Sequence, residues 1–285
     1  MRYFSSFTGA GGFDLAVPND WECVGFSEID KYANMVLKYR FPDVKNYGDV
    51  NAIKWEEIPD FDILFGGTPC QDLSLAGKRK GLAGERSGLF YKFVEALKAK
   101  KPEYFIWENV KGALSSNQGW DFAEVLNQFS EAGYNLWWQV LNAKYFSVPQ
   151  NRERIFIVGF RGRSPPEIFF EPEVSTEDNE ANPIELTNNK SIRDLTTSET
   201  FGTLRSGGSG GVPSQRFVDA DMKIRRLTPR ECERLMSWPD DWTQWGMDEK
   251  GSRTEISDTQ RYRMTGNGVV SNVVKWLIEN VILRD

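Results

Sequence analysis

The chain has 285 residues, 40% of them hydrophobic, which allows one large domain or two smaller ones. It contains no histidine, which excludes Ser-His and Cys-His catalysis and imidazole metal sites, and its three cysteines are too far apart for a disulfide framework or a zinc site. The net charge of -6 argues mildly against nucleic-acid binding, although local basic clusters matter more than the total.

Strand-type and helix-type patterns alternate through the first half of the chain. In chain order they predict a strand at 3–7, the start of a helix at 14–17, a strand at 21–27, a helix at 31–39, a strand at 61–65, a helix at 89–98, a strand at 104–108, a helix at 122–132, and strands at 136–141 and 155–160. This alternation predicts a doubly wound α/β sheet.

The pattern changes after about residue 162. Residues 164–222 are rich in Pro, Ser, Thr, Asn, Gly and Glu, show little periodicity, and form a range that is long for a loop. We therefore expect a small separate domain or an insertion there. Regular patterning resumes at LTPRECERLMSW, where Thr228, Pro229 and Glu231 predict a capped helix start, and SNVVKWLIENVIL predicts an amphipathic helix near the end.

The sequence shows no sign of a membrane protein. Its apolar runs stay well short of the ~18–20 residues that span a bilayer. The first residues, MRYFSSFTGAGG, do not have the pattern of a signal peptide. We expect a cytoplasmic protein.

The stretch FTGAGGFDLA, residues 7–16, combines a strand end, three glycines and a helix start. Gly9, Gly11 and Gly12 would let a ligand approach the backbone closely at a helix N-terminus. A simple tight connection has the same composition, and from these residues alone both interpretations stay open.

Two acids follow this turn. Glu28 ends the next predicted strand, and in open α/β sheets an acid ~20 residues after the glycine turn often binds ribose hydroxyls. Asp49 lies in GDV, from where it could reach an adenine amino group in the same crevice. The alternatives are a solvated loop acid for Glu28 and a turn acid beside Gly48 for Asp49.

The stretch GGTPCQDLSLAGKRKGL, residues 66–82, places Cys70 after a proline at the carboxyl end of a buried strand. Active sites of α/β sheets lie at such strand ends, and nearby cations lower the pKa of a thiol, so Cys70 is a candidate nucleophile as well as a candidate packed residue. Glu108 in WENV ends another strand, where burial would raise the pKa of its carboxyl and make it an acid near neutral pH. The alternative for Glu108 is an ordinary acid at the edge of a strand.

Arg152 and Arg154 alternate in QNRER, so in an extended segment they share one face. Such a pair can bind a phosphate or a base carbonyl in a bidentate manner. The alternative is a charged turn before a strand.

The series FTGAGGF, GGTPCQDLS, ENV, QNRER, RRLTPRECERL and TGNGV resembles, in order and spacing, the motifs of the DNA (cytosine-5)-methyltransferases. The resemblance covers nearly the whole chain outside 164–222. It implies a Rossmann-like methyltransferase sheet that binds S-adenosylmethionine, formed by residues 1–163 and 262–285. It also implies a small, mostly irregular or β target-recognition domain at 164–261, with its core at about 164–222.

The resemblance assigns residues to the cofactor. Phe7 would stack on the adenine, Glu28 would hold the ribose, and Asp49 would meet the adenine. The full set implied for S-adenosylmethionine is Phe7, Gly9, Gly11, Gly12, Glu28, Ile29, Asp49, Val50, Pro69, Asn267 and Val269. Gly268 stands where the family often has serine. No metal is expected.

For the reaction, the resemblance implies methylation of cytosine at carbon 5. The Cys70 thiolate would add to carbon 6, and Glu108 would hydrogen-bond or protonate ring N3. Arg154 would hold the carbonyl at C2, with Arg152 in support. Because the chain has no histidine, water or hydroxide would take the C5 proton.

The target carbon lies inside the stack of double-stranded DNA, so the resemblance implies that the base is flipped out. The loop after Cys70 is expected to be a mobile lid over the DNA, and the acidic run 167–185 is expected to face away from it. The residues implied for DNA are Gln71, Ser74, Lys78, Arg79, Arg86, Thr203, Leu204 and Arg205.

Two alternatives to a DNA enzyme stay open. The tRNA-directed relatives share these motifs but typically carry a Cys-Phe-Thr signature in the recognition region, and this chain has no cysteine between 71 and 231. A catalytically inactive DNA-binding relative would be indicated by loss of Cys70 or Glu108, and both are present. We expect a monomer of prokaryotic or phage type, with a cognate restriction endonuclease as a candidate partner.

Overall fold

A six-stranded sheet forms the centre of the protein in a computed structural model that describes residues 1–69, 88–167, 186–187, 201–202, 216–218 and 224–284. Up to residue 161 the described strands are β1 (Arg2–Ser6), β2 (Glu22–Ser27), β3 (Ile63–Gly66), β4 (Tyr104–Val110), β5 (Tyr134–Asn142), β6 (Gln150–Asn151) and β7 (Glu153–Arg161). All except β6 belong to the central sheet, in the order β2-β1-β3-β4-β7-β5. Strands β1 to β4 are parallel, whereas β7 runs antiparallel to both β4 and β5.

Helices connect and cover these strands. The described α-helices are α1 (Lys31–Arg40), α2 (Gly88–Lys100), α3 (Trp120–Glu131), α4 (Pro229–Leu235), α5 (Asp258–Asn267) and α6 (Ser271–Leu277), which continues into a π-helical turn at Ile278–Ile282. Short 3-10 turns lie at Asp14–Ala16, Val50–Ala52, Trp55–Glu57 and Ala143–Tyr145, and Lys111–Gly119 contains helical turns on either side of a kink at residues 116–118.

The strands described after β7 are short. They are β8 (Leu186–Thr187), β9 (Phe201–Gly202), β10 (Arg216–Val218), β11 (Ile224–Arg226), β12 (Trp245–Met247) and β13 (Arg253–Glu255). β8, β10 and β11 form a small antiparallel sheet, β12 pairs with β13, and β9 pairs with β6.

Alternating side chains of the central strands fill two cores, one on each face of the sheet. On one face, Phe65 of β3 and Ile106 of β4 pack with residues of α1, α4 and α6. On the other face, Leu64 and Phe105 pack with residues of α2 and α3. Every residue of β3 is buried because helices cover both of its sides. Burial of one such side chain contributes about 1.5–3 kcal/mol.

This arrangement confirms the predicted α/β fold with a mostly parallel sheet. The predicted elements lie close to the observed ones, with two differences near the first glycines. The first strand ends at Ser6, because Phe7 takes a positive φ of 52° that a strand does not allow. The predicted helix start at 14–17 is a single 3-10 turn at Asp14–Ala16.

The predicted division into 1–163 with 262–285 and a second domain at 164–261 stays a prediction. Within 164–222 the structure describes only residues 164–167 and the strands β8, β9 and β10. The predicted cap at the start of α4 is confirmed: the Thr228 hydroxyl accepts from Glu231 N, and the Glu231 carboxylate accepts from Thr228 N. Across the described ranges, no helix has both the length and the apolar character needed to cross a bilayer.

A buried carboxyl lies directly after the glycine turn. Asp14 is 7% exposed, and its neighbours are the Ser5 hydroxyl, which donates to Asp14 Oδ2 over 3.4 Å, and the side chains of Tyr3 and Cys23. Burial raises the pKa of Asp14 from 3.8 to about 7, and hydrogen bonds to the carboxylate oppose this only in part. In the folded protein this carboxyl therefore gains its charge only near neutral pH.

We predict that Asp14→Asn stabilises the protein increasingly as the pH rises from about 4 to about 7, and that the effect levels off above this range. The unfolded chain ionises this carboxyl near pH 3.8 and the folded protein near 7, so its contribution to stability is lost between these values. The full effect, from the difference between pKa values of 3.8 and about 7, is on the order of 4 kcal/mol. Urea unfolding at several pH values measures it, with the exposed Asp20→Asn as the control. A difference from wild type that does not grow with pH would contradict the assignment.

Candidate active site

The ends of four parallel strands and the start of β7 meet at one edge of the central sheet. Because β1 to β4 are parallel, their carboxyl ends share this edge, and the antiparallel β7 begins there. The edge thus brings together the glycine turn after β1, Glu28 after β2, Pro69 after β3, Glu108 of β4 and Arg154 of β7.

The glycine turn combines one open position with two packed ones. Gly9 has a φ of +59°, and a β-carbon built there would meet no other described part of the chain within 4 Å. Gly11 has a φ of +91° and lies against the Phe41 ring. A β-carbon on Gly12 would lie 3.0 Å from Val269, so close packing requires the glycine. Of the three glycines, Gly9 offers the backbone that a ligand can approach most closely.

The Glu28 carboxylate joins the glycine turn to the end of β2. Its Oε2 accepts a hydrogen bond from Gly9 N at 2.7 Å, and its Oε1 accepts from Ile29 N at 2.8 Å and from Asp30 N at 2.7 Å. A carboxylate has about four acceptor positions, so these three bonds leave room for one further donor. Ile29 is 72% exposed and adds an apolar surface beside the carboxylate.

Three further residues predicted to bind the cofactor have structural roles at this edge. Asp49 caps the turn Val50–Ala52 and accepts from Asn51 N and Asn51 Nδ2, both at 2.9 Å, although its side chain is exposed. Val50 is 4% exposed within the core beside α2, and Phe7 packs against the same core while partly exposed. The contacts of these three residues with adenine stay predictions.

The TGNGV motif, which lies in the C-terminal part of the chain, packs against the glycine turn. Val269 packs against Gly12, and the hydroxyl of Ser271, just beyond the motif, donates to Gly12 O at 2.7 Å. Asn267, the last residue of α5, is exposed, as is Pro69 at the end of the range 1–69. The predicted cofactor contacts of Asn267, Val269 and Pro69 stay predictions.

Glu108 and Arg154 form a nearly buried ion pair. Arg154 Nε lies 3.0 Å from Glu108 Oε1, and the two side chains are 17% and 15% exposed. Burial raises the pKa of Glu108 above its ordinary value of 4.5, and the charges of Arg154 and Arg152 oppose this shift without cancelling it. Glu108, with Arg154 beside it, can thus donate a proton to a ligand at the strand edge or share one with it.

Arg152 and Arg154 have different hydrogen-bond partners, although the charges of both act on Glu108. Arg152 is 2% exposed, and its Nη2 donates to Gly268 O at 2.6 Å and to Gly266 O at 3.3 Å. It therefore holds the TGNGV backbone on both sides of Asn267. Arg152 lies between the end of β6 and the start of β7, so its shared face with Arg154 stays a prediction.

Two residues at this edge were not predicted from the sequence. A β-carbon on Gly67 would lie 2.9 Å from Glu108 Oε2, so the glycine leaves room for the carboxylate. The Thr68 hydroxyl accepts hydrogen bonds from Trp107 Nε1 and Asn109 Nδ2, which belong to the two neighbours of Glu108. The polar threonine between a buried strand and Pro69 was the only sequence signal for this contact.

Several predicted residues lie outside the described residues. They are Cys70, Gln71, Ser74, Lys78, Arg79 and Arg86 in the range 70–87, and Thr203, Leu204 and Arg205 in the range 203–215. The predicted acidic run 167–185 lies outside as well, apart from Glu167.

Comparison with known proteins identifies the family. A model of the C-5 cytosine-specific DNA methylase family matches residues 1–209 and 197–283. The chain belongs to this family.

Several known methyltransferases are similar in sequence to this chain, some over part of its length and others over nearly all of it. The orphan methyltransferase M.SPRI of Bacillus phage SPR is 45% identical over 166 residues, which span 56% of this chain and 38% of that protein. The Type II methyltransferase M.Bsp6I of Bacillus sp. (strain RFL6) is 32% identical over 99% of this chain and 98% of its own length. The crystal structure of S. pombe Dnmt2 methyltransferase has the same fold, with a TM-score of 0.72, 21% identity and coverage of 98% of this chain and 97% of that one.

We predict that Arg152→Met lowers the free energy of unfolding of this methylase-family protein by about 1–3 kcal/mol, because it removes the guanidinium that donates to the buried carbonyl of Gly266 and the partly buried carbonyl of Gly268. Urea unfolding measures the loss. The matched control is Arg161→Met, since Arg161 is exposed and its guanidinium donates to the carbonyl of Lys101. Equal stability of the two variants would show that Arg152 does not hold the motif.

Proposed function

We propose that this protein transfers a methyl group from S-adenosylmethionine to carbon 5 of a specific cytosine in double-stranded DNA. The observation that carries the proposal is the nearly buried Glu108–Arg154 pair, which lies at the strand edge where the chain leads into Cys70. Membership of the C-5 cytosine-specific DNA methylase family supports it.

The proposed chemistry explains why these residue types are needed together. Carbon 5 of cytosine is a poor nucleophile, and addition of the Cys70 thiolate to carbon 6 makes the ring enamine-like, which divides one difficult step into easier ones. Glu108 supplies or shares a proton at ring N3, so that negative charge does not accumulate there. Arg154 orients Glu108 and holds the carbonyl at C2. Carbon 5 would then take the methyl group as its bond to the sulfonium sulfur breaks, with S-adenosylhomocysteine as the leaving group. Water or hydroxide takes the C5 proton, and the thiolate is expelled.

The residues around the glycine turn fit S-adenosylmethionine, which supplies the electrophilic methyl group when bound. We assign its contact with the backbone to Gly9, where the structure leaves open space. The fourth acceptor position of Glu28 suits a ribose hydroxyl, and the exposed Ile29 suits the flat face of an adenine. Asn267 and Pro69, both exposed, would close the two sides of this pocket.

Double-stranded DNA is the proposed substrate, with the target base flipped out of the stack. The tRNA-directed function is the alternative, and the absence of cysteine between 71 and 231 weighs against it. An inactive DNA-binding relative is the second alternative, and the presence of both Cys70 and Glu108 weighs against that.

The biological setting of the protein is part of the proposal as well. The relatives' names include both an orphan methyltransferase of a phage and a Type II methyltransferase of a bacterium. We therefore propose a prokaryotic or phage enzyme that acts as a cytoplasmic monomer, with a cognate restriction endonuclease as a candidate partner.

The function is tested by incubating the protein with methyl-tritiated S-adenosylmethionine and either duplex DNA or tRNA, and then separating the nucleosides. We expect label in 5-methyldeoxycytidine from DNA alone. Cys70→Ser should lower the rate at least about 10³-fold, because it removes the nucleophile. Label in N4-methylcytosine, in methyladenine or in tRNA would contradict the proposal, as would a Cys70→Ser variant with the wild-type rate.

A further inference from the structure

We infer that Thr68 is a positioning residue that fixes the chain leading to Cys70 against the strand that carries Glu108. The inference rests on the proposed function, since it concerns how the two reacting groups of that function are held together. It assigns to a side-chain hydroxyl a role that neither the motif pattern nor the Glu108–Arg154 pair explains.

Three hydrogen bonds hold Thr68 to β4. Trp107 Nε1 donates to Thr68 Oγ1 at 3.2 Å, and Asn109 Nδ2 donates to Thr68 O at 3.2 Å and to Thr68 Oγ1 at 3.4 Å. The exposed fractions of Thr68, Trp107 and Asn109 are 5%, 0% and 1%. Water therefore does not compete for these donors, and the bonds fix the position of Thr68 along β4.

The register of β3 and β4 places this contact around Glu108. Gly66 pairs with Trp107, so the extended chain beyond it brings Gly67 beside Glu108 and Thr68 beside Asn109. Side chains alternate along β4, so Trp107 and Asn109 point to one face while Glu108 points to the other. On one face of the sheet, Thr68 bonds β4 and fixes the chain after β3 to it. On the other face, Gly67 leaves space for the Glu108 carboxylate.

If the Thr68 hydroxyl is lost, Asn109 cannot compensate by rotating its side-chain amide. Asn109 Oδ1 accepts from Val110 N at 2.9 Å, which sets the orientation of the amide, so its Nδ2 must face Thr68. Valine has the shape of threonine but no acceptor, and it would leave Trp107 Nε1 without the partner that it has in Thr68. Serine keeps the acceptor and loses only a methyl group.

The test compares three variants with wild type: Thr68→Val, Thr68→Ser and the control Thr243→Val. Thr243 is also a fully buried threonine, but its hydroxyl bonds Glu233 of α4 and Arg261 of α5 rather than a residue of β4. The readouts are the melting temperature, the dissociation constant for duplex DNA, and the single-turnover rate of the covalent adduct with DNA that contains 5-fluorocytosine. Fluorine at C5 cannot leave as the proton does, so the adduct formed after thiolate addition and methyl transfer accumulates.

We expect Thr68→Val to form the adduct roughly 10–100-fold more slowly, because a small displacement of reacting groups costs a rate of that order, while its affinity for DNA stays unchanged. Thr68→Ser should recover most of the rate. Thr243→Val should lower the melting temperature without slowing adduct formation, when the rate is measured below the melting temperature of every variant.

Failure of this inference and failure of the proposed function give different results. A wild-type adduct rate in Thr68→Val, or a rate in Thr68→Ser as slow as in Thr68→Val, overturns the role of the hydroxyl and leaves the proposed function standing. Absence of both adduct and 5-methylcytosine with the wild-type protein overturns the proposed function itself.

Discussion

The carboxyl of Glu108 lies nearly buried against the guanidinium of Arg154, and the candidate site depends on this contact. The contact requires β7 to run antiparallel to β4, since only then does β7 begin at the edge where β4 ends. In the observed register Val110 lies opposite Arg154, which lets the arginine reach back to Glu108. A parallel strand in the same place would present its first residues at the opposite edge of the sheet. The reversal of one strand therefore joins two motifs that lie more than 40 residues apart in the sequence.

Hydrogen bonds from side chains to distant backbone groups hold the rest of this edge together. Glu28 bonds Gly9 in the glycine turn, Arg152 bonds Gly268 in the TGNGV motif, and Ser271 bonds Gly12. Each bond joins a different pair of motifs, and each satisfies groups that would be costly to bury alone. The motifs are thus fixed relative to one another, as a site that must align a thiolate, a carboxyl and a methyl donor requires.

The sequence predicts the parts of this site that depend on periodicity and on the geometry of α/β sheets. Glu28 and Glu108 follow apolar runs, so the sequence alone predicts their place at the carboxyl edge, and the observed fold confirms it. The roles of Arg152 and Arg154 could not be separated in this way, because alternation holds only within a strand and Arg152 lies between two strands. The contact of Thr68 with Asn109 could not be predicted from the sequence either, since it depends on the register between β3 and β4.

The burial of Glu108 is tested most directly by the pKa of its carboxyl, measured by carbon-13 NMR of protein labelled at glutamate and assigned with Glu108→Gln. We expect the pKa of the Glu108 carboxyl to lie above 4.5 in the wild-type protein. The pKa should be higher still in Arg154→Met, because that variant removes the charge that favours the carboxylate. A Glu108 pKa at or below 4.5, or a lower pKa in Arg154→Met than in wild type, would show that burial does not control this carboxyl.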